Sequence, residues 1–277
     1  MMMTDAEYRS APGISKSTIR QILVYDEVRE LATGEKKETT EAMEFGTLIH
    51  AAILEPLVFE SLMEEYVVKP KELKLTTKAG KEFKADAEEK GLKIIKEEDY
   101  RMICQIKDNW KNEGYSDLFK NAKFEAIYFG EICGLKAKTK IDIVCEESGI
   151  LGELKTTTTR GVAFQEEAGK NMYNIDLAFQ KEILRQNGIE IKEGIIVGAQ
   201  KKEPYCFTNI SLGKNDFEKG MEIVNLGATI FKRVMENPEK YSKLTIRNPY
   251  TGKAVFNYKQ PNFIDYKLAE LKQKTYF

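Results

Sequence analysis

The sequence predicts a mixed α/β fold in which a central mixed sheet is flanked by helices and preceded by a helical extension. Between residues 123 and 157, three runs rich in β-branched and aromatic residues follow one another across glycine-bearing turns. A long amphipathic stretch over 162–187 then leads to a further apolar run, GIIVGAQ. Ahead of both, the first 65 residues carry the spacing of helices. With 277 residues the chain is expected to be one domain, 1–277, with an N-terminal helical part at 1–65 and a core at 120–210.

Each element has its own local reason. Ser15 or Ser17 can cap a helix through Ile19, Ile22 and Leu23, and a second apolar stripe runs through Phe45, Leu48, Ile49, Ala52 and Ile53 until Pro56 closes it. The polar string TGEKKETTE between them reads as a flexible connection. Residues 69–93 are dense in lysine and poor in large apolar side chains, which predicts a solvent-facing loop. A helical period through Tyr100, Ile103, Ile106 and Trp110 covers 96–118. KFEAIYFGEI, GLKAKTKIDIVCE and GILGELKTT then predict an antiparallel meander. Gly188 is placed to end the helix over 162–187, YCFTNISL to pair with GIIVGAQ, and the segment from Asn215 to be helical before a polar, aromatic tail.

Bulk properties exclude several classes. A composition 42% hydrophobic and 31% charged belongs to a globular chain, not a disordered one. The net charge of -1 is silent on nucleic acid, so a DNA-binding surface has to come from local segregation of charge. The first residues lack an apolar signal core, and no stretch approaches a membrane span, so a cytoplasmic protein is expected. Cys104, Cys133, Cys145 and Cys206 form no CxxC pair, which argues against a zinc ribbon and for reduced, mostly buried thiols.

Period-2 alternation places Lys136, Lys138, Lys140 and Asp142 on one strand face, with Leu135, Ala137, Thr139, Ile141 and Ile143 on the other. On the next run Glu153 and Lys155 project together, with Leu154 turned inward. Two carboxylates and a lysine meeting at a sheet edge suit metal-assisted phosphodiester hydrolysis, because Mg²⁺ takes oxygen ligands and leaves room for water and phosphate. The Leu154 carbonyl is a further candidate ligand. An exposed, ion-paired strand face is the ordinary alternative for the same spacing.

Four blocks in order resemble the RecE, or exonuclease VIII, type of exonuclease within the PD-(D/E)XK superfamily: YRSAPGISKS, FGTLIHAAILEP, TKAGKE and GELKTTTT. The resemblance implies a restriction-endonuclease-like PD-(D/E)XK core. In it Asp142 and Glu153 are metal ligands, Lys155 is the catalytic lysine, and His50, the chain's one histidine, lies beside the metal. Gly46, a turn before His50, would let that helix approach the sheet. Glu125 stands where related nucleases carry an acidic residue, as a distal ligand or an exposed strand residue. The usual Q-x-x-x-Y is replaced by Asp176 and Gln180, with Tyr173 nearby to compensate or to pack. Ser15, Lys16, Lys138, Lys140 and Arg160 are candidate DNA-phosphate contacts.

The resemblance further implies a Mg²⁺-dependent exonuclease, Mn²⁺ substituting, that acts 5′ to 3′ on double-stranded DNA ends in a bacterial or phage-infected cell. A ring-shaped homo-oligomer and a RecT-like annealing partner belong to the same implication. An endonuclease or single-strand nuclease on the same fold, and a catalytically inactive DNA-binding module, are the rival readings. The iron–sulfur branch of the superfamily is disfavoured, since these cysteines do not cluster.

Overall fold

The structure, a computed structural model, describes residues 3–24, 27–34 and 40–242. The connection expected at 33–41 falls for the most part outside these residues, and the tail beyond 242 entirely so.

Helix α1 (Asp5–Ser10) starts at a capping box, Thr4 Oγ1 accepting the Glu7 N–H and Glu7 Oε2 the Thr4 N–H. In α2 (Lys16–Leu23) the spaced residues Ile19, Ile22 and Leu23 are buried, and Arg20 with them. After α3 (Val28–Thr33) comes α4 (Glu41–Leu54), in which Leu48, Ile49, Ala52 and Ile53 face the core. Pro56 ends α4 and also opens α5 (Pro56–Met63), at a position where its missing N–H would have no helical partner anyway.

The lysine-dense stretch is not a loop. β1 (Tyr66–Lys69), α6 (Lys78–Glu89) and β2 (Lys93–Lys96) form a unit in which β1 and β2 pair in parallel. Thr77 caps α6 by accepting the Gly80 N–H, and its charges pair one turn apart as Lys78–Glu82 and Lys84–Glu88. The helix buries little beyond Ala87, so its composition resembles that of a solvated loop. The expected helix over 96–118 is likewise two, α7 (Glu97–Asn112) and α8 (Tyr115–Leu118), parted at Gly114.

The strands β3 (Lys123–Ile132), β4 (Leu135–Cys145) and β5 (Ile150–Thr157) are the predicted meander. The single helix expected next is α9 (Val162–Lys170) and α10 (Asn174–Gln186). The break is a Schellman turn: the Tyr173 N–H reaches Ala168 O and the Met172 N–H reaches Gly169 O, with Met172 in the left-handed region at φ 50°. β6 (Glu193–Gln200) and β7 (Phe207–Leu212) complete a five-stranded mixed sheet of order β3-β4-β5-β6-β7, parallel only between β5 and β6. α11 (Lys214–Glu236) and α12 (Pro238–Ser242) follow.

Two core clusters cover this sheet. One gathers Ile19, Ile141, Phe179 and Val224 with α2, α10 and α11; the other gathers Ile49, Trp110, Ile143 and Leu154 with α4 and α7. Ala137 and Ile141 belong to the first and Ile143 to the second, so the strict alternation expected of β4 slips once, at Asp142. All four cysteines are free, but only Cys145 is buried and Cys133 is exposed, so the thiols are less buried than expected. Among the described residues no helix is long and apolar enough to cross a membrane.

Candidate metal centre and active site

The slip in β4 marks a fork. β4 pairs with β3 along its length, yet with β5 only from Ile143 to Cys145. Asp142 sits where the strands part, and its Oδ2 accepts the Leu154 N–H of β5 at 2.9 Å. On the open side of the fork the chain before α2 adds a short parallel bridge, Ile14 to Ala137, with main-chain bonds to Lys136 and Lys138. Gly13 makes this approach possible: at φ +135° a Cβ would lie 2.9 Å from the Lys136 carbonyl oxygen.

Across β3 the register sets Glu125 opposite Asp142, and Glu125 takes φ 51°, a left-handed conformation that costs a non-glycine residue roughly 1–3 kcal/mol and gathers at functional sites. His50 approaches from α4, its Nδ1 3.9 Å from Asp142 Oδ2. Ligand atoms of His50, Glu125 and Asp142 all lie within 4.8 Å of one another. Burial, together with the Asp142 carboxylate, pushes the Glu125 carboxyl up to about 7 despite the Lys140 ammonium 2.8 Å away. Burial holds His50 below its ordinary value, outweighing the pull of Asp142, and leaves the neutral imidazole that ligates metals.

A second group adjoins this one. Glu153 is buried, and both of its oxygens are engaged: Oε1 by Lys16 Nζ at 2.5 Å and Lys155 Nζ at 2.7 Å, Oε2 by Gln180 Nε2 at 2.8 Å. Lys155 Nζ also donates to Asp176 Oδ2 at 2.9 Å, and Arg20 lies 3.6 Å from the other Asp176 oxygen. Burial opposes the charge on Glu153 and Lys155. For Glu153 the ammonium groups of Lys155 and Lys16 win and hold the carboxyl well below the usual carboxylate range. For Lys155, Asp176 and Glu153 win and raise it, so its ammonium is a fixed positive charge. Lys155 Nζ also sits 5.0 Å from the Tyr173 ring centroid.

Of the expected ligands, then, His50, Glu125 and Asp142 come together, while Glu153 stands beside them under two lysines. Leu154 enters through its N–H, its side chain fully buried. Gly46 is not what allows α4 to approach, since a Cβ there would meet only Thr156 Oγ1 at an ordinary 3.7 Å. The expected phosphate contacts mostly turn inward. Lys16 points at Glu153, and Lys140 pairs with Glu125. Lys138 donates to the carbonyls of Tyr8, Arg9 and Ala11 at the C-terminal end of α1. Ser15 is half-buried against Ser17 and Thr18, and Arg160 alone of the five is exposed.

Sequence reasoning missed Arg20 and Glu55, whose negative charge adds to that around Glu125. Arg20 carried a signal: an arginine next to Ile19 on the short apolar face of α2 needs a buried partner, and Asp176 was the unassigned acid.

A family profile described as a PDDEXK-like domain of unknown function (DUF3799) matches residues 18–243. The chain belongs to this family. The PDDEXK-like chain also resembles a solved structure from Eubacterium rectale described as a "putative exonuclease", with a TM-score of 0.59 and 19% identity over 86% of this chain and 88% of that one; this shows the shared fold. A second structure, of SSO0001, covers 84% of this chain and 96% of its own at 13% identity, and its TM-score of 0.32 is too low to add to this. No curated protein sequence matches the chain.

Proposed function

We propose that this protein is a metal-dependent exodeoxyribonuclease that hydrolyses linear double-stranded DNA 5′ to 3′ and leaves 3′ single-stranded tails for phage-type recombination. The observation that carries the reading is the juxtaposition, in a PDDEXK-like chain, of the His50, Glu125 and Asp142 ligand atoms with the Glu153 and Lys155 pair. Two carboxylates and a neutral imidazole fit a hard divalent cation, Mg²⁺ with Mn²⁺ as substitute. The elevated Glu125 carboxyl supports the fit, since crowded negative charge at that position is what a cation would relieve. When bound, the cation would hold a phosphate oxygen and acidify an attacking water.

The chain's own residues divide the remaining work. The Leu154 N–H fixes the Asp142 carboxylate, and Gln180 fixes Glu153. Lys155, kept protonated by Asp176 and Glu153, orients water and offsets charge developing on the phosphate, and it does not act as a base. By its RecE-like blocks the protein would work as a ring-shaped oligomer and pass its product to a RecT-like annealing protein.

The test uses linear duplex labelled at the 5′ or the 3′ end, and closed circular DNA, with and without Mg²⁺, for the wild type and Lys155→Met. Loss of linear DNA alone, with release of the 5′ label first and dependence on both metal and Lys155, is the expected result. A cut circle would make the protein an endonuclease, and DNA binding without any metal-dependent cleavage would make it a binding module.

A further inference from the structure

A cavity of about 450 Å³ opens at the C-terminal end of α4, the helix that carries His50. One wall is the last turn of α4, Ala52 to Leu54, which begins two residues beyond His50; at a rise of about 1.5 Å per residue its end lies roughly 6 Å further along the helix. The lining also contains Phe124, the chain neighbour of Glu125. The cavity is therefore lined by near neighbours in the chain of two of the three candidate ligands.

Its interior is aromatic and rigid. The rings that line it are Trp110, Phe119 and Phe124; Trp110 stacks on Phe119 at 5.7 Å between centroids and is held from outside the lining by Tyr115 at 4.8 Å and Phe207 at 5.4 Å. Trp110 and Phe119 are nearly fully buried, whereas Phe124 is 36% exposed at the mouth. The lining also holds three cations, Lys107, Lys111 and Lys120, and no acid. Among the described residues none of the three pairs with a carboxylate, in a protein where Lys16, Lys123, Lys140 and Lys155 all do. Unpaired ammonium groups around an apolar, aromatic hollow match a ligand with a flat apolar face and a negatively charged backbone.

We infer that this cavity is a subsite for one unpaired nucleotide of a DNA single strand next to the scissile phosphate. The base enters between Phe124 and the α4 wall, and its flanking phosphates lie on Lys107, Lys111 and Lys120. The volume is within the roughly 300–1,000 Å³ range of small-ligand pockets, so it takes a nucleotide and not a duplex. A paired base has both faces stacked within the duplex and none to offer the Phe124 ring, so the occupant is unpaired. The inference rests on the nuclease reading for its placement in the reaction, while binding itself can be measured without any cleavage.

Trp110 is the chain's single tryptophan and lines the cavity, so its fluorescence reports occupancy. The full chain in EDTA is titrated with a short oligothymidylate and, separately, with a blunt hairpin duplex of the same charge. The oligothymidylate is expected to change Trp110 emission and the hairpin to leave it unchanged. In Lys107→Gln/Lys111→Gln/Lys120→Gln the affinity is expected to fall roughly ten- to hundred-fold, and the slope of log K against log salt to fall by about 2, near 0.7 per lost phosphate contact. The single reversal Lys120→Glu moves both quantities the same way. Unchanged emission, or unchanged affinity and slope in the triple variant, overturns the subsite. Cleavage of linear duplex by the wild type is followed in parallel with Mg²⁺. Strand binding at Trp110 in a chain that never cuts DNA refutes the nuclease and leaves the subsite, and cutting with no response at Trp110 does the reverse.

Discussion

An Asp176→Asn substitution removes one negative charge from between two cations. Asp176 is 1% exposed, accepts a 2.9 Å hydrogen bond from Lys155 and lies 3.6 Å from Arg20. Breaking a buried ion pair from one side costs about 3–5 kcal/mol, because the partner charge stays in a poor solvent. Against a domain stability of roughly 5–15 kcal/mol this is a large fraction, and at 2–4 °C per kcal/mol it corresponds to a drop in Tm of roughly 10 °C. Urea denaturation of the wild type, Asp176→Asn, Lys155→Met and the double variant gives the coupling directly. The double variant should lose less than the two single losses added together, since removing both partners leaves no charge unpaired on that side of Asp176. A loss below about 1 kcal/mol in Asp176→Asn, or strict additivity, would refute the view that Asp176 balances buried positive charge at the site.

Three further expectations follow from other parts of the molecule. Glu125 binds its proton more tightly when folded, near 7 against an ordinary 4.5, so metal-free stability should fall as pH rises through that window, by up to roughly 3 kcal/mol at about 1.4 per pH unit. His50, shifted the other way, contributes the opposite slope, so the quantity to follow is the difference in Tm between the wild type and Glu125→Gln; a difference flat from pH 4.5 to 8 contradicts the shift. Gly198→Ala should cost about 1–3 kcal/mol in urea denaturation, because its Cβ would lie 2.6–2.8 Å from three ring atoms of Phe164. Lys138→Met removes the ammonium that Tyr8, Arg9 and Ala11 share and should cost about 2–3 kcal/mol while exposing residues near Arg9 to trypsin; an unaltered digestion pattern would speak against the anchoring role.

Where a signal was local, the sequence could be read. The three strand runs, the apolar faces of α2 and α4, and the paired projection of Glu153 and Lys155 all follow from period 2 or 3.6, and the structure has them. The misread parts depend on partners far along the chain. Lys16 reads as a DNA contact because a basic side chain on the active face should follow the phosphate backbone; its carboxylate is 137 residues away. The same holds for Lys138, whose acceptors are the ends of α1. The phase slip at Asp142 arises from the fork between β4 and β5 together with the Glu125 distortion opposite, neither of which leaves a trace in an alternating string of lysines and isoleucines. Met172 gave no warning either, being an ordinary helix residue forced left-handed by a turn that glycine usually makes. α6 was lost for a different reason: its charges pair along the helix, and composition alone cannot distinguish that from a solvated loop.

The bridge from Ile14 to β4 gives the molecule a schedule. The segment that carries Ile14 and Lys16 leaves the ribosome ahead of its partners on β4 and β5, which are made more than a hundred residues later. At roughly 5–20 residues per second, Lys16 is on its own for about 7–27 s before Glu153 exists to receive it. Until then there is no fork to close, and the segment that will wall the cleft is already made and waiting for the two strands that form it.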